Sequence, residues 1–424
     1  MMMKEKMIKK TIGVWCEHNF QIYSALPIIN KYIVNNSVIV FTNRENVKVI
    51  NELVNHPNFQ VKCIQNFTFK PATLFKKIFE ILFVSENFSF VYKHEFVNKE
   101  SLKIRILRKV FFLKLPNDKV NKSFLKLNNL FFKNKSIEKY FDLNLMITFT
   151  KVYYAHLIPS KDRVPHINIM ESWDHPMKFP YYLFPNYSLT WNKDLAKDTK
   201  RVQHLLKVKQ ITPLKFKYLY ECNNIDIDKL LNDIKNTTYY EEIMNLQNKK
   251  VILYPTTTSS ANIMHQGEMK LIKELCEVFE GTLYYLYIKP KPNAPNGDYD
   301  IFKSYKNVII GIYADSALGS DILDSNYNIF RYLLLKYSNI VINAGTTFAL
   351  EAAIVDKNII QLNLEEGNYF GFAKWCKTYH LSKYVLSLNG VFQFKGNNKT
   401  QLLKQVEEPN PIFCKELKKW ITEW

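Results

Sequence analysis

Short β-branched and aromatic runs alternate with longer amphipathic ones from the start of the chain. TIGVWC (11–16), SVIVFTN (37–43) and FQVKCI (59–64) read as strands, and segments 20–34 and 44–55 between them have helical spacing. Strands separated by helices of this length predict a parallel sheet with right-handed crossovers. After an irregular middle section the pattern resumes with LNLMITFT (143–150), PHINIME (165–171) and YSLTWN (187–192). A second alternation runs through VILYPTT (251–257), a helix at 266–280, TLYYLYIKP (282–290) and NVIIGI (307–312). A helix at 324–337, NIVINAG (339–345), a helix at 346–356 and NIIQLNL (358–364) continue it, and 400–424 reads as a terminal helix.

The expected fold class is therefore α/β, with two Rossmann-like, doubly wound parallel-sheet domains facing a cleft. A length of 424 residues suits two domains of about 200 each. The expected boundaries are 1–200 for the first domain, with a basic helical insertion at about 66–140, and 201–248 for a polar helical linker. The second domain spans 249–399 and the last helix 400–424. Ligands of open parallel sheets bind beyond the carboxyl ends of the strands, so residues just past each strand carry the candidate chemistry.

Composition changes this picture in one place. Hydrophobic residues are 47% and charged residues 23%, enough for sizeable cores and against global disorder. The net charge is +19, and residues 66–135 alone hold 15 Lys/Arg against five Asp/Glu. Within them LKIRILRKVFFLKL (102–115) interleaves basic and apolar residues, with Phe111 and Phe112 inside and further Phe residues on both sides. Such a segment suits an anionic membrane surface, where each basic residue contributes roughly 1 kcal/mol. It equally suits a helix packed on the sheet by its Phe face with Lys toward water. Nowhere do 18 apolar residues run uninterrupted, and the N-terminus lacks the apolar core of a signal peptide. Six scattered cysteines without a CxxC pair read as reduced thiols. Together these predict a cytoplasmic protein, peripheral on the inner face of the plasma membrane.

Three strand ends in the second half are rich in polar groups. Tyr254-Pro255-Thr256-Thr257-Thr258-Ser259-Ser260 offers a run of hydroxyls, of which Thr257 and Ser259 are the candidate ligands. Lys289-Pro290-Lys291-Pro292 offers two ammonium groups on a stiff frame. Gly345-Thr346-Thr347 lies between a strand and a helix, with Glu351 six residues beyond the glycine. Hydroxyls, ammonium groups and backbone amides are what a phosphate needs, and a carboxylate can accept from the two hydroxyls of a ribose. Each run taken alone is an ordinary loop, turn or helix cap. Their placement at the ends of neighbouring strands is what points to a nucleotide phosphate.

In the first half, Trp15-Cys16-Glu17-His18-Asn19 follows the first strand and Glu171-Ser172-Trp173-Asp174-His175-Pro176 follows a later one. Their bland readings are a surface loop and an N-cap before a proline turn. Asp298-Tyr299-Asp300 has the letters of a metal-binding pair, but its place in a loop reads as incidental. There is no HExxH, GxGxxG, Walker loop or nucleophile elbow, so no motif calls for a metal or a bound cofactor.

The run FRYLLLKYSNIVINAGTTFALEAAIVDKNIIQLNL (330–364) resembles the nucleotide-binding half of GT-B-fold glycosyltransferases from bacterial capsule and lipopolysaccharide pathways. VILYPTTTSS is similar to the strand and Ser/Thr loop that open that half, and IKPKPN to a later strand end where Lys291 stands in place of a frequent His. The resemblance covers about 250–364 and implies a nucleotide-sugar donor as co-substrate and a glycan or lipid-linked acceptor. Gly345, Thr346 and Thr347 would take the phosphate role and Glu351 the ribose role. Lys289 and Lys291 would offset leaving-group charge without a metal. The first half would serve the acceptor, with a general base drawn from Asp174, His18, Glu17 or His175. Three alternatives stay open: a CDP-glycerol-type glycerophosphotransferase, a sugar-nucleotide epimerase, and a basic nucleic-acid-binding α/β protein. Nucleic acid is not the expected partner, since no RNP, KH or helix-turn-helix pattern is present.

Overall fold

In the computed structural model the described residues are 10–17, 19–67, 137–149, 157–159, 161–171, 185–202, 207–258, 260, 264–292, 294–313, 325–378 and 384–422. The chain divides into two compact units, Met1–Lys215 and Phe216–Glu423. Each is described by itself.

Unit 1 is built on a seven-stranded sheet in the order β3-β2-β1-β4-β5-β6-β7. These strands are β1 (Thr11–Cys16), β2 (Ser37–Thr42), β3 (Phe59–Cys63), β4 (Leu145–Phe149), β5 (His166–Ile169), β6 (Tyr187–Thr190) and β7 (Lys207–Gln210). Every neighbouring pair is parallel. Parallel strands covered on both faces need near-continuous apolar runs, and five consecutive residues of β1 and of β2 are buried. Trp15 stacks on Phe41, with ring centroids 5.7 Å apart, in a cluster that includes Ile64, Ile137, Met146 and Leu157.

Unit 2 has a six-stranded sheet in the order β10-β9-β8-β11-β12-β13. Its strands are β8 (Lys250–Pro255), β9 (Tyr284–Lys289), β10 (Val308–Ile310), β11 (Ser338–Asn343), β12 (Ile359–Leu364) and β13 (Phe392–Phe394). All its pairs are parallel. The two open parallel sheets expected from the sequence are therefore present, one in each unit.

Three differences have plain causes. β7 (KVKQ) and β13 (FQF) were not expected, because short edge strands with lysine or little alternation leave almost no periodic signal. The terminal stretch expected as one helix is two, Lys399–Glu407 and Ile412–Thr422, broken at Pro409-Asn410-Pro411. Helices Lys217–Asn223, Ile227–Asp233 and Thr238–Leu246, in the stretch expected as a linker, pack against helix Ser325–Tyr337 inside unit 2. Tyr218, Leu219, Leu230, Ile243 and Leu246 are buried there. The expected basic insertion lies almost wholly outside the described residues, which omit 68–136. Among the described residues no helix is long and apolar enough to cross a membrane.

Candidate functional site

In both sheets the order of strand addition reverses between the first and fourth strands, at β1/β4 in unit 1 and β8/β11 in unit 2. The crevice outside the carboxyl ends of those strands is where such sheets bind ligands. In unit 2 it is framed by the loop after β8 and the turn after β11, two of the three strand ends singled out in the sequence.

The loop after β8 is shaped by Glu268, a fully buried carboxylate on helix His265–Phe279. Glu268 accepts from the backbone N–H groups of Thr257 and Thr258, each at 2.6 Å, from Tyr254 OH at 3.0 Å and from the Thr258 hydroxyl. Those two amides are thereby committed to a protein carboxylate. Thr256 ties the loop to the next strand end: its N–H donates to Lys289 O at 2.9 Å, and its hydroxyl accepts from Lys291 N–H at 2.8 Å. Thr257 Oγ1 is buried with no hydrogen-bond partner.

The turn after β11 is held by neutral groups. Asn343 Oδ1 accepts from the Thr346 N–H at 3.2 Å and the Thr346 hydroxyl at 2.7 Å, and Thr346 Oγ1 accepts from Phe348 N–H at 3.2 Å. Asn343 Nδ2 donates to Gln361 Oε1 at 2.6 Å, and Gln361 Nε2 donates to Ala344 O at 3.0 Å. Thr347 occupies the cap position of helix Phe348–Ile354 in helical backbone, with no hydrogen bond from its side chain to the helix end. A Cβ on Gly345 would lie 3.1 Å from Cys376 Sγ and 3.6 Å from Thr257 Cγ2. Gly345 and Thr257, far apart in sequence, are thus neighbours.

Lys289 brings the charge. It is 7% exposed; its ammonium donates to Tyr327 OH at 3.3 Å and lies 5.5 Å from the Phe348 ring centroid. The third strand end therefore reaches the start of the helix that follows the β11 turn. Nearby, burial pushes the Glu242 carboxyl up, against the hydrogen bonds from Tyr287 OH and Ile312 N–H and the positive charge of Lys289.

Glu351 lies on the buried side of helix Phe348–Ile354. One carboxylate oxygen takes the guanidinium of Arg331, and the other accepts from Tyr218 OH at 2.6 Å. Arg331 in turn sits over the rings of Tyr218 and Tyr327, 5.2 and 5.8 Å from their centroids. Lys291 has an exposed side chain, and Ser259 lies outside the described residues. Asp298 caps Ser260 N–H at 2.9 Å, and Asp300 bonds Lys303 and Tyr313. Among the described residues no group of His, Cys, Asp or Glu could hold a metal ion.

In unit 1 the corresponding edge holds Glu17, 1% exposed. Trp15 Nε1 donates to its carboxylate at 2.8 Å, its N–H donates to Gln21 Oε1 at 2.6 Å, and its carbonyl accepts from Asn43 Nδ2 at 2.6 Å. Glu171 is buried just past β5. Burial, then the charge of Glu171, then that of Glu17, push the Cys16 thiol well up. His18, Asp174 and His175 lie outside the described residues.

Sequence reasoning missed Glu268, Arg331 and Gln361. Glu268 and Arg331 sit in helices whose polar positions look solvent-facing, and Gln361 interrupts an otherwise apolar strand. That interruption was the one available signal.

No family model matches this chain, and no curated protein does. Solved structures similar to it include the S. aureus MnaA–UDP co-structure, at 9% identity over 97% of this chain and 92% of that one, with a TM-score of 0.49. The calicheamicin glycosyltransferase CalG4 is 10% identical over 98% of this chain and 94% of that one, with a TM-score of 0.47. UDP-GlcNAc 2-epimerase from Neisseria meningitidis, bound to UDP-GlcNAc, is 12% identical over 98% and 95%, with a TM-score of 0.46. At these scores the likeness adds nothing to the strand order.

Proposed function

We propose that the chain is a nucleotide-sugar-dependent glycosyltransferase of bacterial surface-glycan assembly. It moves a sugar from a nucleotide-activated donor, held by unit 2, to a glycan or lipid-linked acceptor. One observation carries this reading. At the β8/β11 switch point the structure brings together a buried threonine hydroxyl without a partner, a buried lysine and the small-residue turn Ala344–Thr347. Thr257 Oγ1 supplies a donor to a diphosphate oxygen, Lys289 offsets its charge, and Gly345 admits close approach.

In this reaction the acceptor hydroxyl attacks the anomeric carbon as the bond to the donor phosphate breaks. The hydroxyl proton passes to a base, and the nucleoside diphosphate leaves with both electrons of the broken bond. The base is drawn from the expected candidates Glu17, His18, Asp174 and His175, to which Glu171, buried just past β5, is added. Glu351 acts on the ribose side while bound to Arg331 and Tyr218. The basic segment 66–135 holds the enzyme at an anionic membrane carrying the acceptor.

The test is a panel of UDP-, GDP-, CDP- and ADP-sugars with CDP-glycerol, assayed by binding and by turnover. Lys289→Met and Thr257→Val weaken nucleoside diphosphate binding at least about tenfold, equivalent to about 1.4 kcal/mol. Unchanged binding in both variants removes the site. Turnover of CDP-glycerol alone assigns the glycerophosphotransferase, and sugar interconversion without acceptor assigns the epimerase.

A further inference from the structure

Beyond β12 the chain turns through 365–371, and three residues there have left-handed backbone: Gly367 at φ 94°, Phe370 at φ 45° and Gly371 at φ 82°. Glycine adopts this conformation freely, whereas a bulky side chain there is an outlier. Phe370 is also 65% exposed, so its ring recovers little by burial.

Its neighbours show how the turn is held. Tyr369 is buried, and its hydroxyl donates to Glu274 at 2.8 Å. Its carbonyl rests so close to Gly267 that a Cβ there would lie 1.8 Å from the oxygen. Lys270 Nζ donates to Asn368 O at 2.6 Å, and Phe372 is fully buried as the next helix begins. With residues 369 and 372 fixed inward, residue 370 is forced out in left-handed backbone. That explains the backbone and leaves the side chain unexplained. Glycine would make the same turn with less strain and no exposed ring. An exposed ring on an outlier backbone is the observation from which a ligand contact is inferred.

The turn borders one loop of the candidate site, and the helix that follows it borders the other. Trp375, five residues on, lies with its Cζ3 3.6 Å from where a Gly345 Cβ would be. Gly371 sits against Met264, whose Sδ would be 3.1 Å from an added Cβ, at the end of the loop after β8.

We propose that Phe370 is a stacking platform for the sugar ring of the bound nucleotide sugar, its face packing on the ring's C–H side. This rests on unit 2 being the donor-binding unit. The experiment measures, for wild type, F370A, F370W and F370G, the affinity for a nucleoside diphosphate and for its sugar conjugate, chosen from the UDP, GDP, CDP and ADP series. Thermal midpoints are read without ligand. F370A weakens the sugar conjugate about tenfold and leaves the nucleoside diphosphate unchanged, while F370W retains both. F370G loses the same affinity as F370A with a thermal midpoint at or above wild type. Equal loss of the nucleoside diphosphate puts the ring on the base and overturns the sugar assignment. Unchanged affinities in F370A, or a lower midpoint in F370G, overturn the platform while the donor-site reading stands. If wild type binds no nucleotide sugar, both fall together.

Discussion

A buried polar trio in unit 1 joins two neighbouring strands within the sheet, whereas a buried carboxylate in unit 2, Glu268, holds a loop at the sheet's carboxyl edge. In unit 1 the Thr148 hydroxyl donates to Asn168 Oδ1 at 3.0 Å and lies 2.8 Å from His166 Nε2, all three side chains being buried. The hydroxyl has one proton, so the ring nitrogen is the donor in that second contact. In unit 2, residues Val251–Leu253 of β8 are apolar and buried, and the carboxylate of Glu268 and the amide of Asn343 take over where the strands end. The same strand order therefore carries two uses of buried polarity. One fixes neighbouring strands, and the other fixes the shape of loops around a crevice. Mutation should act chiefly on the second, and pH on the first.

The largest effect is expected at Glu268. Replacement by Ala leaves the Thr257 and Thr258 amides and the Tyr254 hydroxyl without their acceptor, at a cost of roughly 3–5 kcal/mol in urea unfolding. Glu268→Gln, which keeps one acceptor oxygen, costs less. A loss under about 1 kcal/mol for the Ala variant would break the comparison, because the loop would not depend on the carboxylate.

Arg331→Met comes next. It leaves the buried Glu351 carboxylate with the Tyr218 hydroxyl alone, and about 3 kcal/mol is lost. Adding Glu351→Gln should recover part of that loss, and a double-mutant cycle with no coupling would show the pair to be idle.

The third effect separates the units by pH. Burial lowers His166 from its ordinary value of 6.5 to about 3. The folded form therefore stays neutral in a range where the unfolded chain takes up a proton. The sign follows: the stability is fully present above pH 6.5 and is lost as pH falls toward 3, by up to about 1.4 kcal/mol per pH unit. Unfolding of unit 1, followed by Trp15 and Trp191 emission in a chain whose other four tryptophans are replaced by Phe, should show this slope, and His166→Gln should flatten it. An unchanged slope in that variant assigns the pH dependence elsewhere.

The smallest effect belongs to Gly345→Ala. The new Cβ lies 3.1 Å from Cys376 Sγ, so about 1 kcal/mol is lost, and Cys376→Ala in the same chain restores it. Full restoration sharpens the assignment of Gly345 to space, since its backbone is not left-handed.

Much of the fold was legible because buried parallel strands announce themselves as apolar runs between helix-length segments. β1, β8 and β11 were visible for that reason. Lys289 and the loop after β8 could be named as candidates because strand ends in such sheets face ligands whatever the ligand is. The partners of those residues were not legible. Glu268 and Arg331 occupy helical positions that look like ordinary solvated charge, and only the packing turns them inward.

Sequence alone therefore determined two α/β alternations and the identity of the polar groups at their strand ends, because period and residue type are local properties. Tertiary structure decided which of those groups meet. It gave the Thr257 and Thr258 amides to Glu268, tied Glu351 to Arg331 and Tyr218, and set Gly345 against Thr257. Strand order and helix packing bring residues distant in sequence within a few ångströms, and no local pattern records that.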